Sequence, residues 1–202
     1  MLRLDPSNIE EVVRLINEGH VVAIPTDTVY GVTARADLPD AVAQLFAIKK
    51  RPTNVALPVL VSSTEMIDEL GGRLPASAQT LANAMWPGPL TLIVPTTKAL
   101  AERVGSTTST VGFRIPNESL TLQLVQACGA LAVTSANEHG EPPCTSADEV
   151  IAAFGEASGV AAVMDGGVRN GVVSTVVRCD EQGYDVVRSG ALSGDDLAGV
   201  FR

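Results

Sequence analysis

Apolar runs in this chain are no longer than a strand, and they alternate with segments of helical periodicity. Val21-Val22-Ala23-Ile24 is a continuous apolar stretch closed by Pro25, the pattern of a strand buried on both faces. Residues 57–61, 90–94, 111–115, 131–133, 160–164, 172–178 and 184–188 repeat it, with Gln182-Gly183 turning the last pair. Helical spacing lies between them. Ser7-Asn8-Ile9-Glu10 has the form of a capping box ahead of Ile9, Val12, Val13 and Ile16, and Gly19 is the stop. Residues 39–48 place Val42, Leu45 and Phe46 on one face before the basic cluster Lys49-Lys50-Arg51-Pro52, and further helices are predicted over 64–70, 75–85, 120–127 and 147–154. Residues 26–31 and 134–146 read as polar loops. No repeat or linker interrupts the series, so residues 1–202 are expected to form one α/β domain. Its sheet should mix parallel and antiparallel strands with flanking helices, rather than being doubly wound.

Only seven of the 202 residues are aromatic, so Ala, Val, Leu and Ile must fill the interior. No apolar run approaches the roughly 20 residues that span a bilayer, and no membrane association is expected. Residues 1–11 read as a helix entrance and lack the basic and then apolar blocks of an export signal, which points to the cytoplasm. Cys128, Cys144 and Cys179 are odd in number and show no CxxC spacing, so they read as reduced thiols. His20 and His139 are far apart, and no dedicated metal cage is expected. A net charge of −9 removes the footprint of a nucleic-acid binder while leaving room for a local basic pocket.

The common nucleotide and serine-hydrolase signatures, GxGxxG, GxxxxGK[ST] and GxSxG, are absent. Four polar segments stand at the ends of apolar runs instead: 25–31, 49–52, 134–137 and 173–175. Lys49 and Arg51 can aim two cations at the same phosphates, or can simply offset the helix macrodipole. Ser135 and Asn137 can face one ligand from an extended loop, or can form a turn or cap. Arg114 lies in a strand-like stretch where an inward cation needs a partner: a substrate carboxylate, or an internal acid such as Glu118. Asp27 can act as an acid or base, or can bond its own turn. Trp86-Pro87-Gly88-Pro89 reads as a rigid turn with Trp86 packed beneath it.

In order along the chain, PTDTVYG (25–31), KKRP (49–52), WPGPLT (86–91), VGFRIP (111–116), TSAN (134–137), VSTVV (173–177) and VVRSG (186–190) resemble the Sua5/YrdC/YciO family. The match runs over nearly the whole chain, and ordered pieces at compatible separations are specific where each alone is weak. The resemblance implies a twisted mixed sheet with a concave positive face. It also implies a nucleotidyltransferase that makes L-threonylcarbamoyladenylate and pyrophosphate from L-threonine, bicarbonate and ATP, for the t6A modification of tRNA. By the same resemblance Lys49, Arg51, Thr110, Ser135, Asn137 and Arg188 contact ATP, while Thr28, Arg114 and Ser174 hold L-threonine. Mg²⁺ would ride on the triphosphate.

Some positions depart from the family pattern. Where many relatives have Asn and His, this chain has Val55 and Leu60, and Pro143 replaces a small polar residue beyond the SxN motif. The end at Arg202 resembles the short form. Two other functions remain open: a non-catalytic RNA-binding module, which the resemblance suggests through relatives with a basic concave face, and a paralogue acting on another carbamoyl-type substrate, which the changes at Val55 and Leu60 suggest. For the enzyme, partners beyond the substrates are the machinery that transfers the product, with tRNA binding weak or indirect.

Overall fold

A computed structural model of the chain describes residues 1–137, 141–155 and 158–202. His139 lies outside them. Ten strands build one sheet: β1 (Leu2–Leu4), β2 (Val21–Pro25), β3 (Tyr30–Arg35), β4 (Val59–Leu60), β5 (Leu90–Pro95), β6 (Thr110–Arg114), β7 (Leu131–Ser135), β8 (Val160–Met164), β9 (Thr175–Asp180) and β10 (Gly183–Arg188). Their order is β1-β8-β2-β3-β7-β4-β6-β5-β9-β10. The pairs β1/β8, β2/β8, β4/β6 and β5/β9 are parallel and the rest antiparallel, the mixed sheet that the sequence predicts. The helices are α1 (Ile9–Asn17), α2 (Pro39–Ile48), α3 (Thr64–Glu69), α4 (Ala76–Met85), α5 (Lys98–Arg103), α6 (Ser119–Cys128), α7 (Ala147–Phe154) and α8 (Gly194–Gly199).

Several boundaries differ from the sequence expectation. The first capping box is formed by Asp5 and Asn8 around a short 3-10 turn, and Ser7 is only its donor. Ahead of it, β1 pairs with β8 where a helix entrance is expected, held by Arg3 donating to Asp165 and Asp148. β3 begins inside what reads as a loop. Residues 57–61 yield only the two-residue β4, because Leu57 and Val61 bond to Val104 and Arg114 outside any ladder. β9 starts at Thr175 rather than at 172.

Strand alternation divides the interior into two cores. Val21 and Ala23 point into a large core with Tyr30, Phe113, Leu92 and Val177, which α2, α4, α5, α7 and α8 cover. Val22 and Ile24 point the other way, into a smaller core with Val133 and Leu60, roofed by Val12, Leu15 and Ile16 of α1 and Leu124, Val125 and Cys128 of α6. That roof stops at Leu60. Next to Leu60 in register stands Arg114, and beyond it Thr91, Val176 and Arg188 share a row across β5, β9 and β10. One face of the sheet is therefore fully covered and the other only over half its width. The uncovered half carries the polar side chains.

Leu124→Ala removes a fully buried side chain from the thinner roof. It is expected to lower unfolding free energy by about 2–5 kcal/mol, measured by urea denaturation.

Candidate functional site

At the edge of the smaller core the uncovered sheet forms a solvent-open hollow of about 700 Å³, walled by Thr26, 28–31, Arg51, Pro58, Leu60, Thr91, Arg114, 133–135, Val173, Ser174 and Arg188. Strand β3 lies flush against β7 here because Gly31 has no side chain; a Cβ would stand 2.8 Å from Val133 Cγ2.

Arg114 ends β6 with only 6% of its surface exposed. Its Nε donates to the Gly88 carbonyl at 3.0 Å, Nη1 to Thr28 Oγ1 at 3.1 Å and Nη2 to Asp27 Oδ1 at 2.6 Å. The internal acid is thus Asp27 and not Glu118. Glu118 caps α6 and pairs with Arg169. Asp27 in turn does not bond its own turn; Thr26 does, donating from Oγ1 to the Val29 carbonyl at 2.7 Å and accepting from the Thr28 and Val29 amides. Burial pulls the Arg114 pKa down and the Asp27 charge opposes it, so the guanidinium stays charged. Of its five N–H donors three are used, and the other two have no protein partner among the described residues.

Lys49 and Arg51 follow α2 through a left-handed Lys50 with φ 46°. The Lys50 amide donates to Ala47 and the Arg51 amide to Phe46, each at 3.1 Å, which is a Schellman closure. Lys50 faces solvent, and its two neighbours turn inward to different places. Lys49 is buried and donates to the Ser135 carbonyl at 2.8 Å, to Asn137 Oδ1 at 2.8 Å and to the Asn137 carbonyl. Burial, with Arg51 nearby, lowers its pKa to about 8, while three acceptors favour the ammonium, so it is a cation at neutral pH. Of the two, Arg51 lines the hollow, while Lys49 holds the 135–137 loop in place. Ser135 also lines the hollow, and its Oγ donates to Asn137 Oδ1 at 2.8 Å. Asn137 lies behind it.

Arg51 donates from Nε to the Val55 carbonyl at 2.8 Å and from Nη2 to the Ala56 carbonyl at 2.9 Å. Arg188 donates from Nη2 to the Ser174 carbonyl at 2.7 Å and Oγ at 3.0 Å, and Ser174 Oγ lies 3.1 Å from Thr91 Oγ1. Burial and then the neighbouring Arg188 lower the Arg51 pKa, and burial and then Arg114 lower that of Arg188. Three guanidiniums thus converge, and one carboxylate, Asp27, serves only Arg114. Thr110 stands in an adjoining hollow of about 1190 Å³, which shares Arg51, Pro58, Thr91 and Arg188 with the first.

The family model described as telomere recombination (Sua5, YciO, YrdC) matches residues 14–190. The chain belongs to the Sua5/YciO/YrdC family. Threonylcarbamoyl-AMP synthase of Bacillus subtilis is 37% identical over 98% of this chain and 57% of its own length. The Pyrococcus abyssi protein of that name is 34% identical over 98% of this chain and 58% of its own length. The chain therefore spans less than two thirds of these relatives. A crystal structure of P. abyssi Sua5 complexed with L-threonine superposes with a TM-score of 0.91 at 32% identity, covering 98% of this chain and 60% of that one.

In this member of the Sua5/YciO/YrdC family, Thr26 and Thr91 are site residues that motif spacing does not single out. Thr26 braces the turn that presents Thr28, and Thr91 braces Ser174. Thr91 was detectable as a hydroxyl in the otherwise apolar run 90–94. Leu60 forms a buried floor to the smaller hollow, and the half-exposed Val55 lines the larger one. Among the described residues, no three His, Cys, Asp or Glu side chains are grouped to hold a metal ion, and no helix is long and apolar enough to cross a membrane.

Asp27→Ala leaves the Arg114 cation buried and unmatched, and is expected to cost about 3–5 kcal/mol in denaturant unfolding. Asp148→Ala breaks an exposed pair with Arg3 and should cost less than about 1 kcal/mol in the same measurement.

Proposed function

We propose that this chain is an L-threonylcarbamoyladenylate synthase, making threonylcarbamoyl-AMP and pyrophosphate from L-threonine, bicarbonate and ATP. The observation that carries this is the convergence of Arg51, Arg114 and Arg188 on one hollow with no Asp or Glu lining it among the described residues. Mutually repelling cations in a half-buried site favour an anion with several charges. The names of the relatives and the L-threonine bound to P. abyssi Sua5 support the substrate choice.

In this reading Arg114, fixed by Asp27 and Gly88, offers its two remaining N–H groups to the amino acid's carboxylate, and Thr28 and Ser174 flank it. The amine and bicarbonate condense to a carbamate with loss of water, and a carbamate oxygen attacks the α-phosphorus of ATP as its bond to the β-phosphate oxygen breaks and pyrophosphate leaves. Arg51 and Arg188 take up the charge that develops there, with Ser135 as a donor from the loop that Lys49 steadies. Thr110 meets the nucleotide in the larger hollow. Adenylyl transfer needs alignment and charge neutralisation rather than a protein nucleophile. With no acidic cluster among the described residues, Mg²⁺ would be held by phosphate oxygens as a counter-ion.

The three buried free thiols suit a reducing compartment, so we assign the reaction to the cytoplasm, where the product would pass to the machinery of t6A transfer. The net charge of −9 supports weak or indirect contact with tRNA.

Incubation with all three substrates is expected to release pyrophosphate, and omission of L-threonine or bicarbonate to abolish it. Release without threonine would overturn the proposal. Arg51→Ala should chiefly weaken ATP use and Arg114→Ala chiefly raise the threonine requirement, each by about 2–4 kcal/mol in kcat/KM.

A further inference from the structure

Arg178 stands on the uncovered half of the sheet and takes no part in the contacts described so far. Alternation along β9 sends Val177 and Cys179 into the large core and leaves Val176 and Arg178 on the open side. Its register partners are Ile93 on β5 and Asp185 on β10, and among the described residues it forms no ion pair, even with Asp185 across the ladder. It lines the larger hollow together with Arg51 and Arg188.

The strand gives these cations a direction. Ser174, just before β9, lies in the smaller hollow beside Thr91. Val176 is in register with Arg188, which walls both hollows, and Arg178 is two residues further, about 7 Å along the strand. From Arg114 through Arg51 and Arg188 to Arg178, the path leads away from the amino-acid end. Resting on the proposed reaction, that direction has a chemical meaning. A carbamate oxygen bonds to the α-phosphorus as the bond from that phosphorus to the oxygen of the β-phosphate breaks, and pyrophosphate departs with the electron pair. Attacking and leaving oxygens lie roughly in line. With the amino acid at Arg114 and the α-phosphate between Arg51 and Arg188, the leaving group extends into the larger hollow.

We propose that Arg178 is a pyrophosphate-binding residue, the distal cation of a leaving-group subsite in the larger hollow. A polyanion at that place meets an exposed guanidinium that has no hydrogen-bond partner among the described residues. The adjoining hydroxyls of Thr108 and Thr110 supply neutral donors on the other wall.

The test is direct titration of the whole chain with inorganic pyrophosphate at fixed Mg²⁺ and salt, by calorimetry, beside a separate titration with L-threonine. Arg178→Gln is expected to weaken pyrophosphate binding about tenfold, with Arg178→Lys intermediate because it keeps the charge and loses the fork. L-threonine binding should be unchanged. Arg73→Gln, which removes an equal charge from the exposed pair with Glu181, should leave pyrophosphate binding unchanged. Equal affinity in wild type and Arg178→Gln overturns the subsite, as does equal weakening by Arg178→Gln and Arg73→Gln, which would mark a general charge effect. So does a wild-type chain that binds no pyrophosphate yet releases it from the three substrates. Failure of the reaction itself is read separately, from release that does not depend on L-threonine.

Discussion

A guanidinium on a buried strand has to be matched before the rest of this site can be arranged. Arg114 meets that demand with three partners from two distant stretches: Asp27 and Thr28 after β2, and the Gly88 carbonyl before β5. An unmatched charge there would cost several kcal/mol, so these stretches are bound to β6 whether or not a ligand is present. The turn 26–29 is then shaped by Thr26 because Asp27 is committed elsewhere, and the Trp86 turn is more than a rigid connection because it delivers the Gly88 acceptor. The Arg114 end of the hollow is in this sense built by the folding requirement of one strand residue. It is preorganised, with two guanidinium N–H groups to spare.

The second condition is the unequal covering of the sheet. Both faces of β2 and β8 are buried, which is why their sequences are apolar without alternation, whereas β9 alternates between Val177 in the core and Arg178 in solvent. A roof of two helices that ends at Leu60 leaves the next strands to fill their outward positions with hydroxyls and cations. Thr91, Ser174 and Arg188 satisfy one another in that row, so the wall keeps its shape without a ligand.

Much of this was legible in the sequence. Continuous apolar runs marked the doubly buried strands, and helical spacing marked α2, α4, α6 and α7 within a residue or two. The misses have physical causes. β1 is three residues long and stabilised by Arg3 reaching Asp165 and Asp148, a long-range contact with no local pattern. β3 starts at Tyr30 within a run of turn-forming residues, and only the ladder to β2 and β7 makes it a strand. α5 and α8 are six residues each, too short for periodicity to register. For the site, the residue pattern picked out Arg51 and Arg114 and the family resemblance added Arg188, yet spacing could not distinguish Arg51, which lines the hollow, from Lys49, which holds a loop. The spacing is the same for both, and the outcome depends on carbonyls at 135 and 137 that arrive from another strand.

The overall charge and the local charge of this molecule oppose each other, and the distance between them decides which anions can bind. A net charge of −9 repels a large polyanion that must lie across the surface, because its phosphates sample the whole field. Screening confines each charge to about 8 Å at physiological ionic strength, so an anion small enough to sit inside the hollows is governed by Arg51, Arg114 and Arg188 instead. Burial sharpens the contrast, since charges act more strongly where water is displaced. The same fold can therefore present a repulsive field to a large polyanion at its surface and an attractive one to a small anion within the hollows, and salt screens the first far more than the second.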